Sequence, residues 1–327
     1  MKRFVIISLA AVFLVSSLCV TGCKKKNEEA ALPSLEGDLF FVIDPYLRAG
    51  TTVQLQPMGV THPEGKEIGY SLVFTATDSE TPEKKDTIAA EDFPVERTIP
   101  ADLEDGSYYA TMTAFASGYY AVSETRNFCV IDPRLNGSLT KLDIFKSTDH
   151  FVDSREAVAE EGTYYTMESN GLTWMRNNLA YTGSGAAYLN CEVMSYPIGR
   201  FYSWDEAQTA CPDGWRLPTA AEWDSFGSVA GDWMADAYML EEKMWEYWPN
   251  VRITNFTGLS VIPSGYAVRS SHNQFSGLLE YAAFWTADSD PDDPTKALYR
   301  YINANRPEVF SGSGDKASFG ASVRCVK

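Results

Sequence analysis

Four aspartates close together are the residues of this sequence best suited to bind a metal ion. Asp288, Asp290, Asp292 and Asp293 fall within six consecutive positions. Carboxylate oxygens are hard ligands of the kind that Ca²⁺ prefers, so the segment predicts a calcium site. The sequence lacks the Glu-Pro-Asn and Trp-Asn-Asp signatures of calcium-dependent sugar binders, and a solvated acidic loop is therefore the favoured alternative. No other cofactor is expected.

Three aromatic residues offer a second kind of chemistry, the stacking of flat apolar sugar faces. Trp245, Tyr247 and Trp248 occupy three of four consecutive positions. Neither alternation nor helical spacing can bury all three rings on one face, so we expect at least one of them to form a ligand-binding surface. Packing in the core is the favoured alternative, because domains of this size bury most of their tryptophans.

Residues of common catalytic sites are sparse. The three histidines, His62, His150 and His272, are scattered along the chain. No Ser-His-Asp grouping, paired-histidine metal motif or phosphate-binding glycine loop is visible in the sequence. We therefore expect no enzyme activity. The formal charge of −17 also argues against binding to nucleic acid, which requires clustered Lys and Arg.

Residues 1–22 have the organisation of a lipoprotein signal peptide. A basic start, Met1-Lys2-Arg3, precedes a twelve-residue apolar run that is too short to span about 30 Å of hydrocarbon. Val20-Thr21-Gly22-Cys23 follows and resembles the lipobox of bacterial lipoproteins. This predicts lipidation of Cys23, and several acyl chains at about 0.8 kcal/mol per buried methylene form a stable anchor. An ordinary secretory cleavage site is the alternative.

Residues 23–35 are polar and predict a flexible, lipidated tether. The Lys-Lys-Lys-Asn-Glu-Glu order loosely resembles the charged export signal that sends lipoproteins of the Bacteroidota to the cell surface. We therefore expect a protein of the outer membrane that is anchored by its lipid and faces the cell exterior. The periplasmic face is the alternative.

Residues 36–133 predict an all-β domain. Short β-type runs alternate with turn residues at Leu39–Ile43, Thr52–Leu55, Tyr70–Phe74, Tyr108–Ala114 and Asn127–Ile131. Their spacing predicts an antiparallel sandwich of about seven strands. The acidic turn and alternating strand over 103–109 resemble immunoglobulin-like domains in architecture, although the cysteine and tryptophan hallmarks of antibody domains are missing. A spacer role is favoured over a binding role.

Residues 139–327 differ in composition and predict a second domain. All eight tryptophans lie between Trp174 and Trp285. Ser203 with Glu206, and Thr219 with Glu222, are capping boxes that predict two short helices. The last segment, 319–325, alternates and predicts a strand with Cys325 on its buried face.

Seven motifs of this domain resemble the Fibrobacter succinogenes major paralogous domain, and they occur in that family's order. They are Gly171–Met175, Gly199–Trp204, Ala210–Thr219, Gly258–Ser260, Pro263–Tyr266, Phe284–Thr286 and Ser322–Cys325. The resemblance implies a C-type-lectin-like fold, which formylglycine-generating enzymes also have. Together with the two capping boxes and the strand spacing of residues 36–133, it predicts an α+β C-terminal domain with two short helices after an immunoglobulin-like sandwich. The resemblance itself implies no reaction.

Four cysteines are left once Cys19 is cleaved off and Cys23 is lipidated. They are Cys129, Cys191, Cys211 and Cys325. An even number outside the cytoplasm permits disulfides, and three connectivities can be drawn. The buried helix face of Cys211 and the buried strand face of Cys325 aim at one core, which favours a Cys211–Cys325 bridge. A Cys129–Cys191 bridge would cross the domain boundary, and two free thiols are the alternative.

These features predict a lipid-anchored, non-enzymatic binding or adhesion protein whose ligand is a glycan, a matrix component or a protein. The alternative is a structural or tip subunit of a fimbria-like surface assembly, in which the C-terminal domain packs on a neighbour. A formylglycine-generating type of enzyme is a remote alternative. It needs paired active cysteines that bind copper, whereas two of the four cysteines are assigned to a structural bridge.

Overall fold

The computed structural model of the protein describes residues 31–78, 82–88, 94–133, 138–159, 162–245 and 251–327. The predicted signal peptide and Cys23 lie outside the described residues. Two regions follow each other along the chain, which we name the N-terminal region (residues 31–133) and the C-terminal region (residues 138–327).

The described part of the N-terminal region contains seven strands in two sheets. The strands are β1 (Tyr46–Leu47), β2 (Thr52–Leu55), β3 (Gly69–Ala76), β4 (Pro82–Ile88), β5 (Val95–Thr98), β6 (Gly106–Phe115) and β7 (Val122–Val130). One sheet has the order β1-β7-β6-β3-β4, and β2 pairs with β5. Strand β1 runs parallel to β7, whereas the other pairs are antiparallel. The predicted all-β character is confirmed.

One predicted strand of this region is absent. Leu39–Ile43 makes a single isolated bridge, from Phe40 to Met58, within the described residues. The alternation that suggested a strand is still present, because Leu39 and Phe41 are buried while Phe40 and Val42 are exposed. The segment thus packs its apolar side chains on the core without pairing continuously with a neighbour.

The C-terminal region is built from short elements. Its helices are α1 (Ser195–Ile198), α2 (Trp204–Ala210), α3 (Ala220–Asp224) and α4 (Ala230–Trp233), with 3-10 turns at Asp143–Lys146, Tyr188–Asn190 and Glu192–Met194. Its strands are β8 (Leu139–Thr140), β9 (His150–Val152), β10 (Thr163–Ser169), β11 (Leu172–Met175), β12 (Tyr238–Met239), β13 (Glu242–Lys243), β14 (Tyr266–Val268), β15 (Gln274–Ser276), β16 (Tyr281–Ser289), β17 (Lys296–Asn303), β18 (Val309–Asp315) and β19 (Phe319–Gly320).

Both predicted capping boxes are present. The Glu206 N–H donates to the Ser203 hydroxyl at 3.3 Å, and the Ser203 N–H donates to the Glu206 carboxylate at 2.8 Å. Thr219 and Glu222 make the equivalent pair of bonds at the start of α3. These bonds satisfy N–H groups that have no partner inside the helix, so the two short helices begin where the sequence predicts.

Sheet β16-β17-β18 separates two cores of the C-terminal region. Ala283 and Trp285 face one side, in a cluster that also holds Cys325, which we name the disulfide core. Phe284 and Ile302 face the other side, in the tryptophan core, whose members include four buried tryptophans. Successive strand residues point to opposite faces, which explains why neighbours in β16 belong to different cores.

The two regions pack against each other through a third cluster. Ile131, at the end of the N-terminal region, is fully buried with Cys191 and Phe201 of the C-terminal region. The ring of Tyr46 in β1 meets that of Tyr188 edge-on, at 6.1 Å between centroids. In the described residues, no helix has the length and apolar character needed to cross a membrane.

Candidate functional site

The first member of the predicted aromatic surface is buried. Trp245 is 1 % exposed and belongs to the tryptophan core. Its indole N–H donates to the Val261 carbonyl at 3.1 Å, so both the ring and its polar edge are satisfied inside the fold. This corrects the prediction that Trp245 binds a ligand. Tyr247 and Trp248 lie outside the described residues.

The predicted calcium ligands do not converge. Asp288 accepts the Ala220 N–H at 2.6 Å, at the start of α3. Asp293 accepts the Thr295 N–H at 3.0 Å and pairs with Lys296, also at 3.0 Å. Hydrogen bonds from the Thr295 and Lys296 side chains lower the pKa of Asp293 to about 2. The Asp293 carboxylate therefore stabilises the turn between β16 and β17, whereas the Asp288 carboxylate bonds to the start of α3.

The remaining two aspartates of this turn also bond locally. Asp290 accepts the Asp292 N–H at 2.9 Å and a hydrogen bond from the Ser313 hydroxyl of β18. Across the described parts of the chain, no group of three or more His, Cys, Asp or Glu side chains is arranged to hold a metal ion. Asp288, Asp290, Asp292 and Asp293 are thus not brought together as the predicted ligand group in the described residues, an arrangement that fits the favoured alternative of a solvated acidic loop.

The disulfide that the sequence favours is formed. Cys211 and Cys325 are bridged, with 5.9 Å between their Cα atoms. Cys129 and Cys191 are free thiols. The Cys129 sulfur lies 3.6 Å from the Ser107 hydroxyl of β6, whereas the Cys191 thiol turns to the Leu189 carbonyl. Burial raises the pKa of both thiols, which keeps them protonated and unreactive at neutral pH.

The strongest candidate for a ligand site is an aromatic groove of about 500 Å³ at the edge of the disulfide core. We name it the tyrosine groove. Its apolar wall consists of Tyr266, Tyr281, Tyr299 and Phe319, and its polar rim of Ser276, Glu280 and Asn303, with Gly277 beside them. The four rings are half-buried, so each of them keeps a face or an edge for a ligand.

The alternation of β16 and β17 places the tyrosines on one face. Tyr281 is in register with Asn303, and Tyr299 with Trp285, whose buried ring lies in the disulfide core with its centroid 6.0 Å from that of Tyr299. Residues two apart along a strand share a face, so Tyr301 lies beside Tyr299 on the same surface. The same face of the sheet is therefore buried at Trp285 and partly exposed at the tyrosines.

Glycines in β18 make room for the rings. Gly312 is in register with Tyr299, and any side chain there would collide with the tyrosine ring. A Cβ atom at Gly314 would lie 2.7 Å from the Phe319 ring. A ring that packs over a glycine lies flat on the backbone of the neighbouring strand and shields that backbone from solvent.

Ring contacts hold the groove rigid. Tyr281 and Tyr301 stack with centroids 5.1 Å apart and an angle of 19°, and Phe310 continues the stack at 5.2 Å from Tyr301. Tyr299 and Phe319 lie 4.7 Å apart. Offset stacking of this kind is a favoured arrangement of aromatic pairs. Because the rings are fixed before a ligand arrives, little side-chain entropy is lost on binding.

The groove wall is uncharged. Burial raises the pKa of Tyr281, and the neighbouring Tyr299 hydroxyl, with which it interacts, raises it further. Burial also raises the pKa of Tyr299. Both phenols therefore stay protonated at any physiological pH and offer neutral donors and acceptors. The carboxylate of Glu280, which is exposed, is the acidic group of the rim.

A larger cleft lies where the two regions meet, but its chemistry is different. It has a volume of about 830 Å³ and is lined by the acidic residues Asp78, Asp102, Glu104, Asp105, Glu241 and Glu242. Six acidic side chains around one cleft repel one another and are best stabilised by solvation, so the cleft is poorly suited to a neutral or anionic ligand. Tyr108 is the single aromatic side chain among the described residues that line it, and its hydroxyl donates to the Glu104 carbonyl. The tyrosine groove is the better candidate because it combines apolar rings with a few polar groups.

The tyrosine groove was not predicted from the sequence, in which the tryptophan-rich segment 245–248 was considered as the aromatic ligand-binding surface. Seven of the eight tyrosine-groove residues fall in β14, β15, β16 and β17 or in the turn between β15 and β16, and the eighth, Phe319, falls in β19, so no short motif contains them. The alternation of Tyr299, Arg300 and Tyr301 inside an apolar run was the available signal. A strand whose buried positions are tyrosines rather than aliphatic residues indicates a face that reaches solvent.

The family comparison agrees with the motif resemblance. Residues 167–327 match the model of the Fibrobacter succinogenes major domain, a segment that begins in β10 and includes the whole tyrosine groove. Comparisons with curated proteins and with solved structures found no match. The match supports the assignment of the C-terminal region to this family.

Proposed function

We propose, starting from a C-terminal region of the Fibrobacter succinogenes major domain family, that this protein is a lipid-anchored, non-enzymatic adhesin whose tyrosine groove binds glycans. The observation that carries the proposal is the set of half-buried rings Tyr266, Tyr281, Tyr299 and Phe319 around a space of about 500 Å³. A space of this size accommodates a small ligand or one or two units of a longer one.

Glycans fit the chemistry of the groove in two ways. The C–H face of a pyranose is flat and apolar and packs on the faces of tyrosine rings, as other planar groups do. Its hydroxyl groups need hydrogen-bond partners at the edges of that face, and the carboxylate of Glu280 and the amide of Asn303 provide them. Charged ligands are less suited, since the wall of the groove is neutral.

The same groove argues against hydrolysis of the bound sugar. Glycoside hydrolases generally use two carboxyl groups on either side of the scissile bond. Among the described residues that line the groove, Glu280 is the single carboxylate. We therefore propose binding without turnover, and we propose that it needs no metal ion, since its ligands are rings, an amide and one carboxylate.

The N-terminal region supports a spacer role because the chain enters and leaves it at opposite ends. Near its start, Ser34 pairs with Tyr120 in the turn between β6 and β7. The chain leaves after Val130, at the other end of β7, and Ile131 packs on the C-terminal region. Nine residues of strand at about 3.3 Å each separate the two ends by about 30 Å.

This arrangement suits a protein that is anchored through Cys23 and holds its groove away from the membrane. We propose the outer membrane as its location, with the groove facing the cell exterior. Protease added to intact cells should then remove the protein. Full protection in intact cells, together with cleavage after the outer membrane is opened, would place it on the periplasmic side.

A glycan array tests the ligand class. The chain from residue 23, with Cys23→Ser to prevent lipidation, should bind a subset of neutral glycans, and EDTA should not change the pattern. Ser276→Trp should abolish binding, because Ser276 is exposed at the rim and an indole there fills the groove without removing any of its rings. Tyr120→Ala, which removes an exposed tyrosine of the N-terminal region, is the matched control. Absence of binding to any glycan, or binding unaffected by Ser276→Trp, would refute the proposal.

A further inference from the structure

The most exposed large apolar side chain among the described residues lies on a loop of the C-terminal region. Phe256 is 86 % exposed. Single exposed apolar side chains are common on protein surfaces, so exposure by itself does not indicate a partner for Phe256. What matters is whether the backbone of the loop is fixed by hydrogen bonds, because a fixed loop presents the Phe256 ring in one position.

Hydrogen bonds fix the backbone on the first side of Phe256. The Thr254 N–H donates to the Gly231 carbonyl at 2.8 Å, and the Thr254 hydroxyl donates to Asp232 at 2.6 Å. The Phe256 N–H in turn donates to the same hydroxyl at 3.3 Å. These bonds tie the loop to α4, which lies against the tryptophan core.

A second network fixes the other side. The Asn255 amide donates to Asp143 at 2.7 Å, and its oxygen accepts the Ser260 N–H at 2.8 Å. Arg176 donates to the Ser260 hydroxyl at 2.7 Å and to the Gly258 carbonyl, also at 2.7 Å. A loop with this many partners is pre-organised, so a partner molecule would meet a ring whose position is already set.

The Phe256 loop and the tyrosine groove lie on opposite sides of sheet β16-β17-β18. Ile253 and Leu259, which flank Phe256 in the chain, pack on the tryptophan core. The rings of the groove pack on the disulfide core, beyond the sheet. The phenylalanine of one molecule therefore cannot reach its own groove, but it can reach the groove of another molecule.

We propose that Phe256 of one copy of this chain inserts into the tyrosine groove of a second copy. The groove offers aromatic walls to an aromatic side chain, and its exposed Glu280 meets a cation. That cation is Arg252: the positions 252, 254 and 256 are exposed while 251 and 253 are half-buried, so Arg252 lies on the outer side of the loop with Phe256. The proposal rests on the groove being a binding site, as the proposed function holds.

The geometry makes this contact heterologous. Each molecule inserts its Phe256 loop into the groove of one neighbour and receives the loop of another in its own groove. Such a contact does not close into a two-fold dimer but links molecules head to tail into a row. A contact of one aromatic side chain is small, and we expect a dissociation constant on the order of 0.1–1 mM in solution. Glycan that occupies the groove should compete with the row.

Sedimentation velocity of the Cys23→Ser chain from residue 23 tests the contact between about 10 µM and about 1 mM. The weight-average sedimentation coefficient should rise with concentration and pass beyond that of a dimer. Phe256→Ala, which lacks the inserted ring, and Ser276→Trp, which lacks an open groove, should each remain monomeric. Val152→Ala, which trims another exposed apolar side chain, should associate like the wild type.

Mixing the two variants gives the sharpest outcome. Phe256→Ala keeps its groove and Ser276→Trp keeps its phenylalanine, so an equimolar mixture should form 1:1 dimers and stop there. A wild-type chain that stays monomeric at every concentration would overturn the proposal. So would a Phe256→Ala variant that associates as the wild type does, or a mixture that remains monomeric while the wild type forms rows.

A charge exchange checks the second part of the contact and avoids the core. Arg252→Glu and Glu280→Arg, both at exposed positions, should each weaken association at least about fivefold, and the double variant should recover most of the loss. Failure of that recovery would remove Arg252 and Glu280 from the interface. Glycan binding separates the two proposals. A chain that stays monomeric but binds glycans would refute self-association and leave the adhesin proposal standing. A chain that self-associates but binds no glycan would refute the adhesin proposal and leave self-association standing.

Discussion

Each of the two regions of this protein is stabilised internally by a different kind of contact. In the N-terminal region, β6 is paired along its length with β3 on one side and β7 on the other, so backbone hydrogen bonds set its shape. In the C-terminal region, single side chains hold many of the loops. The region built from regular sheet acts as the spacer in our proposal, and the region built from side-chain networks contains the tyrosine groove and the Phe256 loop.

Arg324 illustrates how the second region is held. It is 1 % exposed, and it donates to Asn178 at 3.0 Å, to the Ser260 carbonyl at 3.2 Å and to the Leu259 carbonyl. Burial, with Arg176 nearby, lowers the pKa of Arg324. A buried cation paired with carbonyl and amide oxygens is costly to place, so it is retained for the loop that it fixes rather than for stability alone. Substitutions should therefore be more harmful in the C-terminal region.

The largest effect is expected from removal of the disulfide. The bridge closes a loop of 114 residues, and loop entropy assigns it about 4–5 kcal/mol of the free energy of unfolding. Cys211→Ala with Cys325→Ala should lower the urea midpoint of tryptophan fluorescence, which reports on the C-terminal region because all eight tryptophans lie there. Cys191→Ala, at an unbridged buried thiol, is the matched control. A double variant as stable as the control would mean that the bridge does not hold the region.

The next largest effect is expected for Arg324→Met. Methionine keeps an unbranched apolar side chain but leaves the Leu259 and Ser260 carbonyls without their donor, at a cost of about 3 kcal/mol. The same fluorescence measurement should show this loss. The substitution should also loosen the loop from 254 to 260 and weaken self-association. Unchanged stability together with unchanged association would contradict the role that we assign to Arg324.

A smaller, pH-dependent effect is expected at Glu222. Arg216 donates to its two oxygens at 2.9 and 2.7 Å, and this ion pair lowers the pKa of Glu222 from 4.5 to about 2. The ionised form is favoured by folding, so its contribution is complete above about pH 4.5 and is lost as the pH falls towards 2. Because the pair is partly exposed, we expect about 1 kcal/mol.

The measurement is urea unfolding at pH 6 and at pH 3, for the wild type and for Glu222→Gln. The wild type should lose about 1 kcal/mol more than the variant between the two pH values. Asp205→Asn, at another acidic residue in the first turn of a neighbouring helix, α2, serves as control, since Asp205 has no arginine partner among the described residues. Parallel pH dependence in the wild type and Glu222→Gln would show that the pair adds nothing.

The smallest effect is expected on the outer face of the N-terminal sheet. Thr111 and Thr125 face each other across β6 and β7 with hydroxyl oxygens 3.0 Å apart. Thr111→Val removes this bond but keeps a β-branched side chain, so the free energy of unfolding should change by no more than about 0.5 kcal/mol. A loss above about 2 kcal/mol would show that the N-terminal region depends on side chains as much as its neighbour does.

Local signals explain what the sequence predicts well. The capping boxes at Ser203 and Thr219 are complete within four residues, and the alternation of β3 and β6 continues long enough to be unambiguous. The predicted Cys211–Cys325 bridge is confirmed. Cys211, however, follows the last residue of α2, and the strand predicted over 319–325 is limited to β19, with all of 320–326 buried instead of alternating.

Predictions failed where the outcome depends on contacts that are distant in the chain. Trp245 was one of three candidates for an exposed ring, because local spacing cannot tell which of the three is buried; its indole N–H donates to the Val261 carbonyl, sixteen residues away. The four aspartates suggested a metal site because they are close in sequence, yet Asp288 bonds to the start of α3, Asp290 to β18 and Asp293 to the turn that contains it. The tyrosine groove has no local signature, because strands meet there that are separated by loops.

The affinity of one bound glycan for the wild type and for groove variants tests the central claim most directly. With the tightest ligand from the array, isothermal titration should give at least about a tenfold weaker dissociation constant for Tyr281→Ala, as expected for an aromatic side chain that carries binding energy. Tyr281→Phe, which keeps the ring, should lie closer to the wild type, and Tyr120→Ala should equal it. Equal affinity of Tyr281→Ala and the wild type, with both chains folded, would contradict the assignment of the tyrosine groove as the binding site.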